Sequence, residues 1–209
     1  LKRIMDIVIG VVALLIASPI LLISALLILL FMGRPAFFRQ NRAGKHGRPF
    51  MMIKLRSMNN ATGTDGKILS DAQRQTKLGI WLRSTSIDEL PGLLNVLRGE
   101  MSLVGQRPLH VHYLSRYSPF QARRHEVKPG LTGWAQVNGR NSISWEEKFA
   151  LDIWYVDNES FLLDIKILAL TLLKIMRRDG ISGEGHATME EFMGSDRAFA
   201  ENVDERCSI

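Results

Sequence analysis

The stretch IVIGVVALLIASPILLISALLILLFM, Ile7 to Met32, decides the fold. It holds no charged side chain and is long enough to cross a hydrocarbon core of about 30 Å as a helix. A cleaved signal peptide would have a shorter apolar core and a small-residue cleavage site. Here the run passes through Leu30 and Phe31 straight into basic sequence. Ser18 and Pro19 lie at its middle. Pro19 has no N–H, and its ring crowds the carbonyl of Leu15, so a helix must bend there. The Ser18 hydroxyl can bond a carbonyl freed by that bend. Each half then measures only about 18–20 Å. Lys2 and Arg3 precede the run; Arg34, Arg39, Arg42, Lys45 and Arg48 follow it. Because positive flanks prefer the cytoplasmic side, a simple span would export one of them. A re-entrant wedge keeps both inside. The residues alone leave a Pro-kinked span and a wedge both open.

Outside this run the chain has the composition of a folded protein. Of its 209 residues, 46% are hydrophobic and 23% charged, which excludes a disordered or low-complexity chain. The net charge of +6 favours anionic partners: phosphates, nucleic acid or an anionic membrane face. The single cysteine, Cys207, excludes an internal disulfide framework and a Cys-based zinc site. The expected organisation is a membrane helix over 1–33, a folded domain over 34–185, which the family resemblance below makes the catalytic domain, and a polar tail over 186–209.

Phe37 to Met58 reads as a basic hairpin around Gly44, Lys45, His46 and Gly47. Lys45 is followed by His46, so the Gly-Lys pair is no phosphate loop. Asn59 to Gly66 is a polar loop. The spacing predicts a helix over Ser70–Arg83. Pro129–Gly130 suits a type II turn and Asn138–Gly139 a hairpin turn. A helix capped by Ser144 is expected over Trp145–Tyr155. Another, capped by Ser160, runs toward Arg177 and Arg178. Its Asp164, Lys166 and Lys174 argue for a core or membrane-surface helix rather than a second span.

Asp88 and Glu89 stand side by side in TSIDELPGLLNVLRGEM (Thr85–Met101). Ser86 and Glu89 have the spacing of a capping box. Pro91 opposes that reading: in a helix started at Ser86 its missing N–H would remove a helical bond. A start at Asp88 loses none and aligns Leu90, Leu93, Leu94 and Leu97 on one face. Asp88 then sits at the anion-favouring end of a helix, which would keep it ionised. Such a carboxylate can hold Mg²⁺ or attack phosphorus. Lys54, Arg56, Arg83, Arg98, Arg107 and Arg140 surround the pair in sequence. Arg planes match phosphate oxygens, and Lys offers a point charge. His110, His112 and His125 show no metal-site spacing. Trp134, Trp145, Trp154 and Tyr155 suit a core, a membrane belt or stacking on a base. Asp152 and Asp157 read as structural.

These segments resemble a known family. Ser18–Pro19 in the apolar run, FMMIKLRSM (Phe50–Met58), RSTSIDELPGLLNVLRGEMSLVGQRP (Arg83–Pro108) and KPGLTGWAQVNGRN (Lys128–Asn141) look like the monotopic bacterial sugar transferases, the small phosphoglycosyl transferases. The resemblance runs from Lys2 to about Thr188. With the tail SGEGHAT (Ser182–Thr188), it is nearest the protein-glycosylation branch that uses UDP-N,N′-diacetylbacillosamine. It implies an α+β, mostly helical fold, with a re-entrant membrane helix broken at Ser18 and Pro19. A small helical domain with a short β-hairpin and membrane-surface amphipathic helices would follow. It implies transfer of a sugar phosphate from a UDP-sugar to polyprenyl (undecaprenyl) phosphate at the cytoplasmic face of the bacterial inner membrane, with UMP released. Asp88 would be the nucleophile and a ligand of Mg²⁺. Glu89 would place the metal or take a proton. Lys54, Arg83, Arg107, Arg140 and Asp164 would surround the phosphates. Gln106 stands where the family usually has proline, so less rigidity is expected before Arg107. The implied partners are UDP-sugar, polyprenyl phosphate and the bilayer, with no nucleic acid, and a homodimer is compatible with them. The rival class is a membrane-anchored basic binding module for nucleic acid or anionic lipid, indifferent to Asp88.

Overall fold

The computed structural model describes residues 1–59, 69–139, 143–177 and 191–194. The polar loop expected at Asn59–Gly66 lies almost wholly outside these residues, as do Arg140, Arg178 and most of the tail. The described part is mostly helical, with two small two-stranded sheets.

Helix α1 spans Lys2–Met32 with Pro19 inside it. The Ser18 hydroxyl donates to the carbonyl of Leu15 at 2.8 Å, one turn back, where the proline leaves an acceptor free. Strands β1 (Phe37–Ala43) and β2 (Pro49–Leu55) form the expected antiparallel hairpin, with Phe38 opposite Lys54 and Arg42 opposite Phe50. Direct cross-strand partners share a face, so Gln40 and Arg42 lie on the same face as Lys54.

The helix expected over Ser70–Arg83 is two helices, α2 (Asp71–Arg74) and α3 (Lys77–Ser84). Thr76 separates them because its extended backbone and side chain cap α3, accepting the amide of Gly79 at 2.9 Å. After α3, Ser86 takes a left-handed φ of 57° and a 3-10 turn covers Ile87–Glu89. Helix α4 begins only at Gly92 and ends at Arg98. The start at Asp88 is therefore corrected: Pro91 is the cap residue, where its missing N–H costs nothing. Along α4 the core face is Leu93 and Val96, while Leu94 and Leu97 are only half-buried.

Strand β3 (Ser102–Val104) pairs in parallel with β4 (Gly130–Thr132). Neither expected glycine turn forms here. Gly130 starts β4, because a Cβ there would stand 2.1 Å from the amide nitrogen of Gly105. Two backbones meet where only glycine fits. Asn138 ends a short helix, α6 (Trp134–Asn138), rather than turning a hairpin. Between the strands, α5 spans Pro119–Ala122. Helices α7 (Trp145–Asp157) and α8 (Phe161–Arg177) follow, with Ser144 and Ser160 capping them as their sequences require.

Three apolar clusters form the core. The largest joins β2, α4, β3, α6, α7 and α8 through Met52, Leu93, Val96, Val104, Val137, Tyr155 and Ile167, and Ala13 and Leu14 of α1 pack on it. The second brings Ile28, Leu21, Ala25 and Met32 of α1 against Leu55, Leu82 and Ile87. The third is aromatic. Phe192, inside the stretch expected as a polar tail, is buried with Tyr113 and Phe149, and Tyr117 and Trp145 pack against them.

Candidate active site

The site is built where the 3-10 turn meets β2 and the segment after β3. Gly79 lets α3 lie directly on the chain following β2, since a Cβ there would come within 1.9 Å of the carbonyl oxygen of Ser57. At the end of α3, Arg83 Nε donates to Ser57 Oγ at 2.9 Å. The left-handed Ser86, an uncommon conformation for a residue with a Cβ, then turns the chain so that Asp88 faces inward and is buried.

Glu89 is tied from two sides. Lys54 Nζ lies 2.8 Å from its Oε1, and Arg107 holds it in a fork, Nη2 at 2.6 Å from Oε1 and Nη1 at 3.4 Å from Oε2. The capping-box reading is thereby overturned: Ser86 makes no capping bond, and the Glu89 carboxylate faces two cations. Asp88 is different. Among the described residues no hydrogen bond or ion pair holds its carboxylate.

Electrostatics separates the two acids. Burial, and then the neighbouring Glu89, push Asp88 up to about 6, against the opposing pull of Lys54, Arg107 and Arg83. No helix end holds Asp88 down, since α4 starts only at Gly92; its carboxyl is raised, yet at about 6 it is still mostly ionised at neutral pH. Burial also pushes Glu89 up, but Arg107 and Lys54 outweigh it and hold the carboxyl well below its usual range. Burial pulls Lys54 down despite Glu89.

Lys54, Arg83, Arg107, Asp88 and Glu89 are thus brought together. Asp164 is not placed with them. Its two oxygens accept Lys2 Nζ at 2.8 Å and the Tyr155 hydroxyl at 2.6 Å, so it fastens α1 to α8. Two cations passed over as site residues in the sequence also sense Arg107. Burial and Arg107 together bring Arg42 down to about 10 and Lys148 down to about 8. Arg42 was readable from the hairpin register, which puts it on the Lys54 face. Lys148 arrives from α7, with no local signal. At Gln106, in place of the family's proline, the side chain is buried and the carbonyl accepts the amide of Gly130 at 2.9 Å.

Among the described residues no three His, Cys, Asp or Glu side chains converge as a metal cage. That is compatible with Mg²⁺, which is commonly held by one or two carboxylates together with substrate phosphates. The otherwise unpartnered Asp88 carboxylate suits one such position.

The Asp88 carboxylate, buried and without a partner among the described residues, lies beside Lys54, Arg83 and Arg107, an arrangement able to take up a polyanion. The comparisons agree with that class. The chain belongs to the bacterial sugar transferase family, whose model matches residues 1–178. It is 53% identical over 195 residues to the uncharacterized sugar transferase EpsL of Bacillus subtilis, covering 93% of this chain and 96% of that one. It is 42% identical over 190 residues to the UDP-glucose:undecaprenyl-phosphate glucose-1-phosphate transferase of Caulobacter vibrioides, covering 85% and 70%. The Escherichia coli protein of the same name is 41% identical over 186 residues, and there the match covers 83% of this chain but 40% of the relative.

Proposed function

We propose that this protein is a phosphoglycosyl transferase that moves a sugar 1-phosphate from a UDP-sugar to undecaprenyl phosphate in two half-reactions through Asp88. In the first, an Asp88 oxygen attacks the β-phosphorus, the bond to the bridging oxygen breaks and UMP leaves. In the second, an oxygen of polyprenyl phosphate attacks the same phosphorus and expels the Asp88 carboxylate. The product is a polyprenyl diphosphate sugar, and neither step needs a net proton. Division into two steps means that donor and lipid acceptor need not share the site. The observation that carries this reading is the contrast between the two acids. Glu89 is ion-paired and spoken for; Asp88 is buried, has no partner among the described residues and is still largely ionised at neutral pH.

Lys54, Arg83 and Arg107 bind and orient the diphosphate, and positioning with charge neutralisation is most of what phosphoryl transfer requires. Arg140 completes this set in the family resemblance. Mg²⁺, held by Asp88 and the phosphates, would supply further neutralisation of the developing charge. Glu89 fixes Lys54 and Arg107 beside the reacting phosphate.

The apolar α1 enters the cytoplasmic leaflet of the inner membrane and leaves on the same side. Both of its ends are fastened to one domain, which supports the re-entrant reading over a span. Relatives are named for glucose and galactose donors, so the donor here is a UDP-hexose; the diacetylated sugar suggested by the tail is one member of the panel to test. Purified protein in nanodiscs with Mg²⁺, undecaprenyl phosphate and a set of UDP-sugars should release UMP for one or two of them, and Asp88→Asn should release none. Retention of turnover by Asp88→Asn would overturn the mechanism through Asp88; no UMP from folded wild-type protein with any sugar would leave the binding-module reading standing.

A further inference from the structure

We propose that Arg124, fixed by Asp152, is a positioning residue for Arg107; the inference rests on the function above. Arg124 comes from the 3-10 turn Arg123–Glu126 and is fully buried. Its Nε and Nη2 both donate to Asp152 Oδ2, at 3.0 and 2.6 Å. Its Nη1 donates to the Tyr117 hydroxyl at 3.2 Å. The remaining Nη2 contact is the informative one: it reaches the backbone carbonyl of Arg107 at 3.0 Å. The rings of Phe149 and Tyr117 face the guanidinium at 5.3 and 5.8 Å, so water is kept from the pair.

The contact falls where it controls a side chain. The carbonyl before Arg107, on Gln106, is held by Gly130. The residue after it is Pro108, whose φ is fixed by its ring. Arg124 takes the carbonyl between them. Residue 107 is therefore clamped on both sides, while its own side chain remains about half exposed (47%) and reaches out to Glu89. A flexible side chain on an immobile backbone can meet a phosphate oxygen in a defined direction. A buried ion pair is a poor source of net stability. Here its placement does something an apolar pair could not: it presents a charged donor to one carbonyl beside the active site.

Removing Arg124 alone would strand Asp152, so the test uses the paired swap Arg124→Met with Asp152→Leu, which removes both charges of the pair together; Lys148→Met is added to the swap as a control, because Asp152 also attracts that buried lysine. Arg124→Lys serves as a second variant that keeps the charge but loses the fork. Near-UV circular dichroism checks that each is folded. The readouts are the Kd for UDP with Mg²⁺ and kcat/KM for the UDP-sugar, each in the wild-type and Arg107→Ala backgrounds. Positioning predicts a loss of about tenfold or more from the swap in the wild-type background, and no further loss once Arg107 is gone. No change from the swap, or an equal loss in both backgrounds, would overturn the proposal and leave Arg124 a purely structural residue. A wild-type protein that neither binds UDP nor releases UMP would instead overturn the proposed function, and this inference with it.

Discussion

At Asp88, function and stability pull in opposite directions. The carboxyl stands near 6 in the folded protein against 3.8 when free. A raised acid binds its proton more tightly in the folded state, so its contribution to stability falls as pH rises from about 4 to about 6. The penalty at neutral pH is on the order of 3 kcal/mol at most. Asp88→Asn removes that charge, so it should abolish UMP release while raising Tm. A Tm that fell instead would identify Asp88 as a structural cap. The rate should follow the same group. The first half-reaction of the proposed mechanism needs ionised Asp88, so kcat/KM should fall about tenfold per pH unit below the pKa of that group. Glu89 raises Asp88 and Lys54 lowers it. Hence Glu89→Gln should move this acidic limb to lower pH and Lys54→Met should move it to higher pH, whatever each does to the plateau. Pairs of stopped-flow or quenched-flow pH profiles would measure both shifts. Movement of both limbs in one direction would contradict the pairing described. The composition of this cluster was legible in the sequence; the unequal fates of its two acids were not, because desolvation and the Lys54 and Arg107 contacts arise only in the fold.

Among the elements, α1 carries the most consequence. Lys2 bonds the Tyr155 hydroxyl at 2.6 Å and Asp164 at 2.8 Å, and Arg3 donates to the carbonyls of Val96 and Leu97 at the end of α4. Cations at a helix C-terminus complement its dipole. Asp6 accepts the amide of Leu103 at 2.9 Å and the Ser102 hydroxyl at 3.0 Å. At the other end, Arg56 donates to the carbonyls of Met32, Gly33 and Arg34. A helix of this length would reach about 46 Å if straight, and a span would put its first residues across the bilayer from the domain that holds them. In a Cys207→Ser background, a cysteine replacing the exposed Leu1 should therefore react with impermeant maleimide in inside-out vesicles and not in intact cells. Labelling from outside would establish a span. Pro19 and the basic flanks allowed this geometry from sequence, whereas Asp164 misled because a lone acid in a helix does not disclose its partner. The caps of α7 and α8 were legible because Ser144 and Ser160 bond within their own first turns. Gly130 misled because its role depends on Gly105, distant in sequence; Asn138–Gly139 misled because the short helix α6 runs to Asn138 and the Gly139 amide bonds back to Ala135.

For the molecule as a whole, the boundary at residue 33 separates compositions but not cores. Ala13 and Leu14 pack on the central cluster, and Ile28 is fully buried in the second, beside Leu55 and Leu82. Gly10 lies so close to α4 that a Cβ would meet Leu97 at 3.2 Å. The opposite side of α1 leaves Leu15, Ile16, Leu22, Ile23 and Phe31 exposed, a surface suited to lipid. One helix thus completes the domain's cores on one side and leaves an apolar face open on the other. Deleting residues 1–33 should not release a soluble catalytic domain. It would uncover Leu55 and Leu82, leave the Leu103 amide without its Asp6 partner and strip the Arg56 guanidinium of its Met32 and Gly33 carbonyls. Loss of several large buried contacts costs about 2–5 kcal/mol each, more than the total stability of an ordinary domain. The chain from residue 34 onward should therefore aggregate, or show helical far-UV circular dichroism without a near-UV signal. A monomeric truncation with near-native near-UV signal and a cooperative melt would show instead that the domain folds first and α1 docks on it. On the proposed function such independence would be a disadvantage: a domain that needs its apolar helix in order to fold would be active only at a membrane, where a polyprenyl phosphate acceptor resides.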